Sequence, residues 1–486
     1  MERRGFLKQT GAVLAAAKLN GFAQAAKPTK QPMNLLWITV DDMDASLPGF
    51  MGNKLGLTPN LDALAAGSHR FVKNRTTGPI CQPSRGAMMT GRVPHRSGGV
   101  GFVPIHDGVP TMVTSLKAAG YFSAAIHKTE HMQPPSCFPW DHEVPGMDRR
   151  PHEYAEAVQD ALTRAKAAGK PFFINCNIND PHRPFYGSPG GLKQDHNNEG
   201  EYKVARELTA NDVVPPPFLE DLPDVRREFS QYCNSAQRMD VSIGLVLQAL
   251  KDSGHADHTV IVFCADHGMP FPFSKATVYD HGTKEPVLLS WPGMPAAKSH
   301  EDRTCNIDLM PTLLELLGVS APKGMDGLSW MPILRGKPSG NRQYLVTHVN
   351  SVSSGVEYPQ RGVHDERYLL AFMPWVDGTL QFQIESMQGL TWAAMVKAAD
   401  SDAKVAARVK QFHYGEPMAL YDLETDPGQR VNLIAHPEHK AHIHTMQQEL
   451  LAYMRRTSDP QLDNLERYLR GEKTIVVQGK SSGAKE

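Results

Sequence analysis

One short run of the chain carries the residue types of a nucleophilic, anion-handling site: Cys81-Gln82-Pro83-Ser84-Arg85, continued by Thr90-Gly91-Arg92. Pro83 suits the first turn of a helix, where a missing N–H costs little, and Ser84 can help satisfy the free N–H groups of that turn. Residue 81 then lies at a helix N-terminus, whose unpaired N–H groups and dipole favour a sulfate-sized anion. Arg85, one turn on and on the same face, can fork hydrogen bonds to an oxyanion. The plain alternative is a buried structural cysteine ahead of a helix, but an inert thiol needs no such neighbours.

The elements that must position this run read as α/β. Asn34 to Val40 is a continuous apolar run, as a strand buried on both faces requires, and it ends abruptly in Asp41-Asp42. Similar runs are Phe172 to Ile178, ending in Asn179-Asp180-Pro181-His182, and Thr259 to Cys264, ending in Asp266-His267-Gly268. Helical stretches lie between them, at Leu61 to Ala66, Val113 to Ala119 and Met239 to Leu250. This alternation predicts a large, mostly parallel sheet flanked by helices, with ligands beyond the carboxyl ends of its strands. The polar strand tips are therefore expected to share one pocket. From about residue 341 the pattern changes to short β-like pieces (Gln343 to Val349, Tyr368 to Phe372), then a polar loop, then a helix from about Pro437 to Met454. That predicts a smaller C-terminal α+β subdomain, an antiparallel sheet against one helix.

Composition limits the partners. The 486 residues hold 51 Lys+Arg against 52 Asp+Glu, so there is no global basic field for nucleic acid. Any anion must be caught by a local cluster of charge. Hydrophobic residues at 41% and a mean hydropathy of -0.39 describe an ordinary globular chain with no expected membrane span. Six cysteines are too sparse for a disulfide scaffold.

The first residues read as an address. Arg3-Arg4-Gly5-Phe6-Leu7-Lys8, a weak apolar run from Thr10 to Ala17 and a small-residue Ala23-Gln24-Ala25 site resemble a bacterial Tat export signal; an amphipathic helix is the alternative. The expected organisation is an export signal over 1–30, a catalytic domain over 31–340, a C-terminal subdomain over 341–470 and a disordered tail over 471–486. The mature chain would begin near Ala26 and work in the periplasm or outside the cell, with the Tat machinery as a partner.

The pentapeptide with its T-G-R continuation resembles the type I sulfatase signature of the alkaline-phosphatase superfamily. The resemblance implies that a maturation enzyme oxidises Cys81 to Cα-formylglycine, whose hydrate attacks sulfur with one hydroxyl, expels the alcohol or amine, and collapses to release inorganic sulfate. A serine would stall at the second step. Asp41, Asp42, Asp266 and His267 match the family's calcium positions, completed by an oxygen of residue 81. Carboxylates favour Ca²⁺ or Mg²⁺, while the imidazole of His267 leaves zinc or manganese open. Taken alone, an Asp-Asp pair is more often a helix cap or a solvated turn.

The same resemblance carries further cations. His127-Lys128-Thr129-Glu130-His131 stands where the family has Gly-Lys-x-His, so Lys128 maps directly and His131 maps with a one-residue bulge. His182, in Asp180-Pro181-His182-Arg183-Pro184, is the implied general acid at the leaving group, and Lys275 the implied sulfate-binding lysine. A lone Lys or His is otherwise more often a solvated surface group. Tyr421-Asp422-Leu423 with Asp426-Pro427 and Asn432-Leu433 is similar to the ending of sulfatases. Phe138-Pro139-Trp140-Asp141, the Gln231 to Asp240 segment and Pro270-Phe271-Pro272 resemble the heparan N-sulfatase (sulfamidase) branch, although Lys275 replaces that branch's Arg. The implied substrate is a sulfated oligosaccharide attacked from its end, N-sulfoglucosamine first, in a pocket closed by the Pro270-Phe271-Pro272 turn and the Pro134 to Trp140 loop. A carbohydrate O-sulfate of another linkage, a phosphoester or phosphonate, and a sulfoglycan-binding protein without turnover remain open.

Overall fold

Twelve strands in two sheets carry the site in the computed structural model, which describes residues 32–147, 149–189, 203–337 and 342–475. The larger sheet contains β1 (Asn34–Val40), β2 (His69–Phe71), β3 (Phe122–Ile126), β4 (His142–Val144), β5 (Phe172–Ile178), β6 (Thr259–Ala265), β7 (Val287–Ser290) and β8 (Ser299–His300), in the order β4-β3-β5-β1-β6-β7-β2-β8. β1 runs parallel to both neighbours, with Leu35 opposite Phe173 of β5 and Val260 of β6. β7 is antiparallel to β6 and to β2, so the sheet is mostly parallel.

Because side chains alternate across a strand, β1 feeds two cores. Leu36, Ile38 and Val40 pack with Tyr154 and Val158 of the helix Pro151–Ala168 and with Ala236, Met239 and Ile243 of the helix Pro223–Asp252. Leu35 and Trp37 pack on the other face with Met88, Met112, Val113 and Leu313. Every residue of β1 and β5 is buried, which is why both read as unbroken apolar runs.

The helix expected from Met239 begins sixteen residues earlier, at Pro223. Its first half buries polar groups that erase the apolar period: Asn234 exchanges two hydrogen bonds with the Leu208 backbone (2.9 and 3.0 Å), and Arg238 grips Asp180 at 2.6 Å.

The smaller sheet comprises β9 (Leu345–Ser351), β10 (Glu357–His364), β11 (Tyr368–Phe372) and β12 (Met418–Asp422), antiparallel throughout in the order β12-β11-β10-β9. Ile443, Met446, Leu450 and Met454 of the helix Lys440–Thr457 cover Val363, Leu370, Phe372 and Leu420. The polar loop expected after Phe372 is instead largely structured, holding the helices Leu390–Ala399 and Ala403–Tyr414 and the strand β12. The described residues from Met33 onward form one compact unit, and β9 hydrogen-bonds back to the motif loop through His348 N–H to Thr77 O at 2.7 Å. Among the described residues no helix is long and apolar enough to cross a membrane. The twin-arginine segment and the Gly479 to Gly483 tail lie outside the described residues.

Candidate active site

The tips of β1, β5 and β6 meet at one spot, and the helix Cys81–Thr90 points its N-terminus at it. Asp41 N–H donates to Ile178 O and Asp266 N–H to Val40 O, both at 3.1 Å, so the ladder runs one residue past the apolar run and then stops. Asp42 turns into the left-handed region (φ 64), a conformation a non-glycine residue holds only when its surroundings impose it. Its N–H donates to Asp266 Oδ1 at 3.1 Å, and its carbonyl accepts Tyr232 O–H at 2.8 Å.

His267 hydrogen-bonds Gly268 O through Nδ1 at 2.9 Å, which turns Nε2 toward the site, 3.2 Å from Cys81 Sγ and 3.4 Å from Asp42 Oδ1. Only glycine fits at 268, because a Cβ there would stand 1.8 Å from His281 O. Ligand atoms of Asp41, Asp42, Cys81 and His267 all lie within 4.8 Å of one another. Asp266 stands beside this group rather than in it. Its oxygens take the N–H groups of Asp42 and His267 and Arg85 Nη2, the last at 3.1 Å.

Residue 81 opens its helix as expected, but Ser84 does not cap it. The Ser84 hydroxyl donates to Asp266 O at 2.6 Å and accepts from Asn306 at 3.1 Å, so it ties the motif helix to the end of β6. Arg85 reaches Asn177 Oδ1 at 2.5 Å as well as Asp266, and passes 3.7 Å from Asp41. Asn177, unremarked in the sequence because it sits inside an apolar strand, also donates to Ile126 O and His127 O at 3.1 Å each. That holds His127 and Lys128, both left-handed (φ 61 and 57), so that Lys128 Nζ lies 2.6 Å from Asp41 Oδ2.

Lys275 Nζ lies 3.0 Å from Asp42 Oδ2. His182 fixes its ring by Nδ1 against Arg183 O and leaves Nε2 3.8 Å from Asp42 Oδ2. His131 is half-buried, edge-on to Phe102, with no partner for its buried Nδ1. Burial, Lys128 and Arg85 hold its imidazole well below the usual range, which places it within the charge field of the site. Apart from His131, which no contact among the described residues ties to the others, the residues named from the sequence thus converge, with Asp266 beside the metal group rather than in it. One further member was missed: Glu385, far along the chain, whose Oε2 is 3.1 Å from Lys275 and whose Oε1 is 3.6 Å from His182. No motif marks it.

The electrostatics describe a cation site. Burial and the Asp41 charge push Asp266 up to about 7, and Asp42 is raised by burial despite Lys275. Asp41 alone is held low, because Lys128, His182 and Arg85 outweigh its burial. Asp41 Oδ1 and Asp42 Oδ1 are buried without a hydrogen bond, and Asp41 Oδ2 has only the Lys128 ammonium for a partner. Two acceptor-only carboxylates and an imidazole nitrogen converging with unsatisfied lone pairs fit a divalent cation. The Cys81 thiol is pushed well up by burial and by Asp41, so as a thiol it is no nucleophile.

The two loops expected to close the pocket are anchored by packing of their aromatic side chains. Phe271 is fully buried against Phe185 and Tyr232, and by Trp140 the Pro134 to Trp140 stretch packs on Phe173 at the amino end of β5. The crevice beside Lys275 is walled instead by Phe102, Val352, Ile384 and Glu385.

A family model described as Sulfatase matches residues 33–319, and one described as N-sulphoglucosamine sulphohydrolase, C-terminal, matches residues 266–379. An ulvan-active sulfatase of Formosa agariphila is 26% identical over 443 residues, covering 89% of this chain and 82% of the relative. The Homo sapiens N-sulphoglucosamine sulphohydrolase is 27% identical over 474 residues, covering 88% of this chain and 91% of the relative. A solved structure in complex with its substrate D-glucosamine-2-N,6-O-disulfate shares the fold with a TM-score of 0.66 at 17% identity, covering 89% of this chain and 99% of that one.

Proposed function

This chain belongs to the sulfatase family, and we propose that it removes sulfate from the end of a sulfated sugar chain, N-sulfoglucosamine first. The observation that carries the reading is the convergence of Asp41, Asp42 and His267 on residue 81 at the N-terminus of a buried helix. Ca²⁺ at these groups, with Asp266 turned inward, would supply charge neutralisation for the bound sulfate. Formylglycine made from Cys81 by a maturation enzyme would supply the nucleophile that the raised thiol cannot.

The chain's own residues then divide the work. Arg85 holds Asp266 and Asp41 in place. Lys128 and Lys275, paired here with Asp41 and Asp42, are the ammonium groups that would face sulfate oxygens if a divalent cation were held by those carboxylates. The three fixed cations Arg85, Lys128 and Lys275 do not outweigh the four carboxylates Asp41, Asp42, Asp266 and Glu385, so a bound divalent cation would be needed to tip the pocket positive. His182 Nε2 is the end of the ring free to exchange a proton with the leaving atom, because Nδ1 is committed to the backbone. His131, deeper and uncharged, lines the Lys128 side.

The human N-sulphoglucosamine sulphohydrolase and the C-terminal family match support the sulfamidase preference. The twin-arginine start supports Tat export and work outside the cytoplasm. The deciding experiment compares sulfate release by matured, calcium-loaded protein from N-sulfated and O-sulfated glucosamine, from intact polymer and from aryl phosphate. Faster release from any O-sulfate would refute the N-sulfate preference, internal cleavage of polymer would refute end attack, and preferred phosphate release would refute sulfatase action.

A further inference from the structure

Glu385 is out of place in a pocket meant for an anion. It opens the short turn Glu385–Gln388, and its carboxylate contacts His182, the group assigned to the leaving atom, at 3.6 Å and the sulfate-facing Lys275 at 3.1 Å. Burial works against its charge, yet Lys275 and His182 hold it ionised, down to about 2. A negative charge there weakens sulfate binding, so its use lies in what it accepts.

The turn that carries it is firmly held. Glu228, buried in the long helix Pro223–Asp252, accepts the N–H groups of Leu390 at 3.1 Å and Thr391 at 2.7 Å and pairs with Arg183 at 2.5 Å. Gly389 lets these groups close: a Cβ at that position would stand 2.3 Å from Glu228 Oε1 and 2.6 Å from Arg183 Nη2. Arg183 also donates to Pro270 O at 3.0 Å. His182 and Glu385 are thus set against each other by one ion-paired frame.

Resting on the sulfamidase reading, we infer that Glu385 selects the bridging atom of the substrate, accepting the N–H of a sulfamate and rejecting a sulfate ester. A carboxylate only accepts hydrogen bonds. A sulfamate nitrogen carries a hydrogen to donate, and after cleavage becomes an amine that protonates to an ammonium. An ester oxygen at the same place offers lone pairs alone and meets the carboxylate with repulsion. A polar group left unpaired or opposed in this way is the kind of mismatch that separates substrates more sharply than a change of size.

The test measures kcat/KM of matured, calcium-loaded protein for N-sulfoglucosamine and for glucosamine 6-O-sulfate, in wild type and in Glu385→Gln and Glu385→Asp. Wild type favours the N-sulfate. Glu385→Gln, whose amide can donate to an ester oxygen, lowers the N-to-O ratio by about 100-fold or more. Glu385→Asp, which keeps the acceptor, retains the N preference at a lower rate and provides the readout should the Gln variant fold poorly. Equal losses on both substrates, leaving the ratio unchanged, would overturn the inference while leaving the sulfamidase reading intact. A wild type that prefers the O-sulfate, or cleaves neither sugar, would sink that reading and the inference with it.

Discussion

Cys81 Sγ and His267 Nε2 lie 3.2 Å apart although 186 residues separate them in the chain. The contact joins the N-terminus of the motif helix to the tip of β6, and the Ser84 hydroxyl bond to Asp266 O holds the same two elements together one turn away. Asp41, Asp42, Asp266 and His267 thus stand one or two residues past buried strands and Cys81 at the start of a buried helix, which lets single substitutions there be read chemically.

Cys81→Ala is expected to lower turnover by about 10⁴ or more without unfolding the chain, since it removes the reacting group and almost no core volume. Mass spectrometry across residue 81 of the active wild type should find the aldehyde in place of the thiol. Wild-type turnover by the alanine variant would end the mechanism.

Chelation is expected to abolish activity and Ca²⁺ to restore it better than Zn²⁺. Asp42→Asn should weaken calcium binding by at least about tenfold, read by calorimetry, while moving the melting temperature of the metal-free protein by only a few degrees, about 3 °C or less. The reason is that burial, Asp41, Glu385 and Asp266 all disfavour the Asp42 charge in the metal-free site. Better rescue by Zn²⁺ would refute the metal assignment.

Far from the chemistry, Arg361 grips Asp459 with two bonds of 2.7 Å, both side chains fully buried. Asp459→Asn leaves a guanidinium buried without its counter-charge and should cost about 3–5 kcal/mol in urea unfolding. A loss below about 1 kcal/mol would mean that water already reaches the pair.

Stability should fall on mild acidification. Burial and Arg361 hold His348, burial and Arg75 hold His364, and burial and Lys128 hold His127 below their ordinary range, His127 at about 4. The unfolded chain takes up these protons near pH 6.5 and the folded chain does not, so the contribution is complete above about pH 7 and is lost as pH falls. For His127 the loss develops from about pH 6.5 down to about 4 and amounts to roughly 3 kcal/mol. His281, raised by its bond to Asp44 despite burial, and Asp266 and Asp42, raised by burial in the metal-free site, work in the opposite sense and offset part of it. Urea midpoints that stay level from pH 7 to pH 5 would contradict this balance.

The strands that carry the site were legible because burial on both faces leaves an uninterrupted apolar run, and the chemistry was legible because it begins where each run stops. The first half of the helix Pro223–Asp252 was not, since Asn234 and Arg238 spend their polarity on buried partners that no local pattern reveals. Glu385 and Asn177 were invisible for a related reason. One acquires its role only when the turn before Leu390 folds against Glu228, and the other looks like a flaw in an apolar strand until Arg85 arrives beside it.

The burial of the motif helix sets a deadline. Cys81 is 2% exposed, and every residue of Cys81–Thr90 is covered in the finished fold. If Cys81 is the residue converted, a modifying enzyme could reach it only while β6 and the Lys275 segment have yet to close over it, so the fraction of active molecules would be decided by a race between modification and folding. Variants that fold more slowly without losing final stability would leave that window open longer and emerge more fully converted, whereas a faster-folding variant would be sealed inert, beyond rescue by any later supply of the enzyme.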